Sequence, residues 1–397
     1  MAFEPVSLVS IASLSALGLG PEEVWAGYSR AASHALSTMN DGAGGLAYGG
    51  RIPETTRTRV REIRESYSAY AHLDPTVIYA IATSRMAVKQ AGWDRASRFG
   101  VNLGSSRGAT EIFERYHGEF LETGKVGSHA SPSTTLGNIA SWVAQDLGAR
   151  GPEISHSITC STALHAVLNG VAWIRAGLED RFLVGGSEAP LTPFTLAQMR
   201  ALKIYSRETG DYPSRALDLD KTNNSMVLGE GSGAACLENG LKPGALALIS
   251  GLGYATEDLT SAVSLSREAS CLQRAMNMAL AGCDPGQVDA VVMHAPGTLR
   301  GDRAEYRALQ RVFGQQLPAL TTNKWKLGHT LGASGLLSLE LAVQMLQHQS
   351  FVAVPFVQGI RPPGRLRKIL VNAVGFGGNA VSLLVERPPG AEGEPFP

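Results

Sequence analysis

A chain of 397 residues with 44% apolar and 18% charged side chains has the makeup of a dense globular protein and room for two fused lobes. Its 35 basic and 35 acidic residues cancel, which removes any bulk electrostatic pull toward nucleic acid or an anionic membrane. The four cysteines, Cys160, Cys236, Cys271 and Cys283, show no close pairing, which argues against a disulfide framework or a zinc site and fits a reducing cytoplasmic compartment.

In chain order, residues 1–20 lack a basic leader and a continuous apolar stretch, and read as a buried strand followed by a loop. No run reaches the roughly 18 uninterrupted apolar residues of a membrane span. Helical periodicity over 75–91 precedes a short strand at 100–104. The β-branched run 154–159 predicts a strand, and 161–176 predicts a helix directly behind it. Strands follow at 181–186 and 234–238. The segment LKPGALALIS, residues 241–250, reads as the crossing between two halves, 1–240 and 241–390. The second half offers a strand at 288–294, a helix at 335–347 and strands at 368–373 and 381–386. From Pro388 the chain is rich in Pro, Gly and Glu and reads as a frayed end, with 391–397 as a flexible tail. Short strands alternating with helices predict a layered α/β fold.

Cys160 stands at the junction of predicted strand and helix in ISHSITCSTA. Unpaired N–H groups at a helix start favour thiolate over thiol, and can hold an oxyanion when sulfur attacks a thioester. A lone cysteine is more often an inert core thiol, so the chemistry rests on its company. His294 ends the apolar run VDAVVMH; Lys324 and His329 lie in TTNKWKLGHTLGASG, where small residues allow close backbone packing. One thiol, two imidazoles and one ammonium are a set able to activate a sulfur nucleophile and move protons.

Several motifs then occur in order: Thr159-Cys160-Ser161, Gly185-Gly186-Ser187-Glu188-Ala189, Leu228-Gly229-Glu230-Gly231, His294 followed by Gly301-Asp302 and Glu305, Lys324 ahead of His329, and Gly375-Phe376-Gly377-Gly378. On these the chain resembles the β-ketoacyl-[acyl-carrier-protein] synthases of the thiolase superfamily, in their Cys-His-His branch, over almost its whole length. The resemblance implies a thiolase fold, two similar α/β halves stacked as α-β-α-β-α. It implies decarboxylative Claisen condensation, with Cys160 carrying the acyl chain, His294 and His329 assisting decarboxylation, and Lys324 ordering the site with Glu305. Phe376 becomes a gate whose N–H completes an oxyanion hole, and Thr298 a contact for the pantetheine arm. No bound cofactor is implied, since substrates arrive on the phosphopantetheine of an acyl carrier protein. Arg200, Lys203, Arg207, Arg300 and Arg303 are the basic residues on offer for that acidic carrier.

Departures accompany the matches. Pro296 stands where relatives carry a first threonine, removing a hydrogen bond of about 1 kcal/mol while stiffening the loop. Asn379-Ala380 and Asn223-Asn224-Ser225 replace the usual Thr-Asn and Arg-Asp-Gly. HAPGT with TNKWKLGHTLGASG is more similar to the discrete ketosynthases of aryl-polyene and flexirubin-type pathways. The family dimerises, so a homodimer, or a heterodimer with a cysteine-free chain-length partner, is expected. Two other readings remain: a non-catalytic chain-length partner, against which Cys160, His294 and His329 argue together, and a thiolase acting on coenzyme A esters, which usually adds a second cysteine near the C-terminal glycine turn.

Overall fold

In the computed structural model, residues 4–42, 44–136, 138–258 and 265–390 are described. The expected tail at 391–397 lies outside them. The strands are β1 (Val6–Ser15), β2 (Gly18–Leu19), β3 (Ser37–Asn40), β4 (Leu46–Gly49), β5 (Gly100–Gly104), β6 (Glu153–His156), β7 (Arg181–Glu188), β8 (Gly231–Asn239), β9 (Ala247–Thr256), β10 (Ala290–Val292), β11 (Ala319–Thr321), β12 (Lys368–Val374) and β13 (Asn379–Glu386). A six-stranded sheet runs β2-β1-β8-β7-β5-β6, a five-stranded sheet runs β11-β10-β12-β13-β9, and β3 and β4 form a separate hairpin.

The two large sheets repeat one topology. Read from the parallel edge, β6-β5-β7-β8-β1 matches β11-β10-β12-β13-β9. In each, the first three strands are parallel and the last two run antiparallel to their neighbours. The duplication that no sequence repeat announced is therefore present in the strand order.

Side chains alternate along these strands, so each sheet buries both faces. Phe182 and Val184 of β7, with Val381, Leu383 and Val385 of β13, face a central core between the sheets. That core is filled by the helices Thr162–Arg175 and Ser334–His348. Leu183 and Cys236 face outward onto the helices Pro75–Gln90 and Asn138–Leu147. On the other flank, Leu370 and Leu384 meet the helices Ser270–Ala279 and Leu299–Phe313. The result is five layers, helix–sheet–helix–sheet–helix, as the resemblance implied.

Local chemistry sets the boundaries. Pro75 opens its helix, with Asp74 accepting from the Thr76 amide at 2.9 Å. The helix Leu299–Phe313 is capped by Thr298, whose hydroxyl accepts from the Gly301 amide at 3.2 Å. Two strands are shorter than the sequence reading, β6 ending at His156 and β10 at Val292. In both, the apolar run continues into the loop that carries a functional side chain. The supposed crossing at 241–250 is a crossing only in its first part, since β9 starts at Ala247. Among the described residues no helix is long and apolar enough to cross a membrane.

Candidate active site

Parallel strands leave their C-terminal ends open, and here six such ends converge. The loop after β5 holds Ser106 and Arg107, that after β6 holds Cys160, and β7 ends on Glu188. Across the duplication, His294 follows β10, Lys324 and His329 follow β11, and Phe376 follows β12. Cys160 and His329 thus occupy corresponding loops of the two halves. Cys160, His294, His329, Glu305 and Phe376 line one cavity of about 510 Å³, together with Arg107, Thr298 and Arg300. Lys324 is fully buried behind this lining.

Cys160 sits in a tight turn. Thr159 adopts the left-handed region at φ 46°, a costly conformation for a β-branched residue. The turn is held by Ile158 N–H donating to Thr162 Oγ1 at 2.9 Å and by Ser161 Oγ donating to Ile158 O at 2.9 Å. Helix Thr162–Arg175 begins immediately afterwards. The backbone N–H groups of Cys160 and Phe376 are both directed at the sulfur. Burial nevertheless dominates: it pushes the thiol up to about 12, Glu188 adds to the rise, and Lys324 and the two amides oppose it. The helix-start argument thus has the right sign and the smaller size, and the resting group is a thiol.

The two imidazoles stand edge to face, with ring centroids 5.2 Å apart. Both are held well below the usual histidine range, first by burial and then by the Lys324 charge. They are therefore neutral near pH 7, and neither ring nitrogen Nδ1 has a partner. Their backbones are fixed instead. His294 and Ala295 donate amide bonds to the two Glu305 oxygens at 2.9 and 2.8 Å, and His329 N–H donates to Val227 O at 2.7 Å. Asn372 donates to Glu305 at 3.2 Å. Burial raises the Glu305 carboxyl to about 7 and lowers the Lys324 ammonium to about 8. Lys324 Nζ makes no hydrogen bond, so its link to Glu305 is through space.

Two family models match: the β-ketoacyl synthase N-terminal domain over residues 4–242 and the C-terminal domain over 246–357. The chain belongs to the β-ketoacyl synthase family. A 3-oxoacyl-[acyl-carrier-protein] synthase 2 from Vibrio cholerae is 29% identical over 345 residues, covering 79% of this chain and 83% of that protein. Among solved structures, the ishigamide ketosynthase/chain length factor aligns with a TM-score of 0.83 at 21% identity, over 97% of this chain and 99% of that one. A type II polyketide synthase acyl-carrier protein in complex with its ketosynthase bound to the hexaketide gives a TM-score of 0.82 at 20% identity, over 97% and 100%.

Within this ketosynthase frame the remaining sequence candidates are distributed unevenly. Thr298 lines the cavity while capping its helix. Arg300 is exposed at the cavity rim, and Lys203 and Arg207 are exposed nearby in sequence to the lining residues Leu202 and Ile204. Arg200 is engaged by Asp41 and by Leu46 O at 3.2 Å, and Arg303 donates to Leu219 O and Lys221 O at 3.1 Å each. Cys236, Cys271 and Cys283 do not line the cavity. Among the described residues no group of His, Cys, Asp and Glu is arranged to hold a metal.

One residue was quoted within a motif without being given a part. Glu188 is fully buried, accepts from Gly332 N at 3.1 Å and from Ser106 N, and is raised to about 7 by burial. It joins the loop after β5 to the loop holding His329. The signal available in sequence was an acid ending the apolar and small-residue run Phe182–Ser187.

Proposed function

We propose that the chain condenses a Cys160-bound acyl group with a malonyl-carrier protein to give a 3-oxoacyl-carrier protein. The observation that carries this is the pairing of two amides aimed at Cys160 Sγ with two neutral imidazoles, free of protein partners, in the same cavity. In the first half-reaction the sulfur adds to the acyl thioester carbonyl, whose developing oxyanion lies against the N–H groups of Cys160 and Phe376. The carrier thiol leaves with the proton that Cys160 gives up. In the second, the malonyl group loses carbon dioxide, and the resulting enolate oxygen accepts hydrogen bonds from His294 and His329. A neutral imidazole suits that task, because it carries one N–H donor for the oxygen and no charge that would repel Lys324. The enolate carbon then displaces Cys160 sulfur, which takes a proton from solvent.

The acyl carrier is taken to dock at the rim marked by Arg300, Lys203 and Arg207, with its pantetheine passing Thr298. The resemblance of HAPGT and TNKWKLGHTLGASG to polyene-type ketosynthases supports a polyene-type acyl product, with the enzyme working as a homodimer or beside a chain-length partner. A thiolase reading is disfavoured because no second cysteine lines the cavity.

Intact mass after incubation with an acyl-carrier protein tests the first half, and carbon dioxide release from malonyl-carrier protein tests the second. The expected result is a mass gain equal to the acyl group in the wild type and none in Cys160→Ala. His294→Ala and His329→Ala keep the mass gain and lose condensation. A mass gain that survives in Cys160→Ala contradicts the reading.

A further inference from the structure

Arg107 lines the same cavity as Cys160, together with the apolar side chains of Met199, Leu202, Ile204, Met226 and Leu331 and the polar Ser106, Asn224 and Arg300. Its loop follows β5, the counterpart of the loop after β10 that carries His294. Gln198, on the helix Pro193–Ala201, accepts from Arg107 Nη2 and so holds the guanidinium at the cavity lining. Arg107 Nε is buried without a partner, and Nη1 makes no bond to any described residue. No carboxylate among the described residues pairs with it, whereas the buried Lys324 has Glu305 within electrostatic reach.

A guanidinium held this way penalises a pure hydrocarbon. A methylene chain pressed against it displaces water and leaves charged donors unpaired, which costs more than the apolar contact returns. An acyl group with an acceptor oxygen at that position keeps the apolar contacts and satisfies the donors. Sites built to bond a polar substrate group reject analogues lacking it far more strongly than apolar pockets reject an extra methylene.

We propose that Arg107, held by Gln198, selects acyl groups carrying a hydrogen-bond-accepting oxygen remote from the thioester, a hydroxyl, keto or carboxylate function, over plain alkyl chains. This rests on the reading of Cys160 as the acyl carrier and specifies its substrate class.

The test uses pantetheine thioesters of hexanoate, of its ω-hydroxy and ω-carboxy counterparts, and of the same trio built on octanoate, with Cys160 acylation followed by intact mass. In the wild type, kcat/KM for oxygenated members exceeds that for the matched alkyl member by about tenfold or more, and Arg107→Met erases or reverses the preference by about 10- to 100-fold. Arg107→Lys restores part of it. Selection of the carboxy member alone identifies an anionic terminus, and selection of both oxygenated members a neutral acceptor suffices to explain. Equal ranking in wild type and Arg107→Met, or faster alkyl transfer in the wild type, overturns the proposal. Should no thioester acylate Cys160, the condensing reading fails by itself. Calorimetry with the non-cleavable thioether analogues then decides the selectivity: tighter oxygenated binding lost in Arg107→Met upholds it, and equal affinities sink it.

Discussion

Thr159 Oγ1 donates a 3.0 Å hydrogen bond to the carbonyl of Phe376, tying the turn that presents the thiol to the turn that supplies the second amide. Between them sits Gly375, where a Cβ would lie 1.8 Å from Thr159 Oγ1 and 3.0 Å from the Cys160 nitrogen. Gly375→Ala must push these turns apart. Acylation of Cys160 should fall by about 100-fold or more, the scale of losing one oxyanion donor. A time course by intact mass checks this; an unchanged rate in the folded variant means that the Phe376 amide has no part in acyl transfer.

Lys324 predicts a bend in the pH profile of thiol reactivity. Its ammonium, lowered to about 8 by burial, is present below that pH and lost above it, and while present it favours the thiolate of Cys160. The logarithm of the alkylation rate should climb with pH and turn shallower above about pH 8, well before the thiol itself titrates. In Lys324→Met the bend disappears and the rate at neutral pH drops. A wild-type profile that stays straight through pH 9 contradicts this coupling.

Glu340 makes stability depend on pH. It lies within the central helix Ser334–His348, fully buried, with Ser13 Oγ donating to one oxygen and no partner on the other. Burial raises its carboxyl from 4.5 to about 7. A folded-state value above the unfolded one gives stability that is complete below pH 4.5 and is lost as pH rises through 7. Glu340→Gln removes that loss. The variant should match the wild type near pH 5 and exceed it by about 1–3 kcal/mol at pH 8 in urea titrations. A constant difference across that range argues against a titrating Glu340.

Asp302 and Lys221 form a buried ion pair at 2.6 Å, and Asp302 also receives the amides of Leu217 and Gly297. Lys221→Met strands the carboxylate and should cost about 3–5 kcal/mol. Lys221→Met with Asp302→Asn should recover much of that, since the neutral amide oxygen can still accept the backbone bonds. If the double variant is as unstable as the single one, the loss comes from packing around Lys221 and not from the unpaired charge.

What was legible in the sequence followed from local pattern. Cys160 stands where a β-branched run gives way to a helical pattern, and His294 ends an apolar strand, so both are legible without knowledge of the fold. The strand Ala247–Thr256 was half hidden, because Gly251 and Gly253 lower its β-propensity. Both glycines are explained by packing, since a Cβ at either would fall 1.9 Å from a carbonyl, of Ala279 and Ala275, in the helix lying across it. The helix Leu299–Phe313 was missed because its buried face includes two acids, Asp302 and Glu305, which break the apolar stripe. Arg107 had no sequence signal at all. Its setting is created by Gln198, 91 positions away, and by walls that meet only on folding.

The repeated topology of the two sheets divides the chemistry between separately synthesised lengths of chain. The thiol and one oxyanion amide lie before residue 240, while both imidazoles, the ammonium and the other amide come after it. The first half alone therefore holds the sulfur and one amide, without the second amide or either imidazole. On the proposed reading, acyl transfer and condensation both wait on the folding of the second half onto the first.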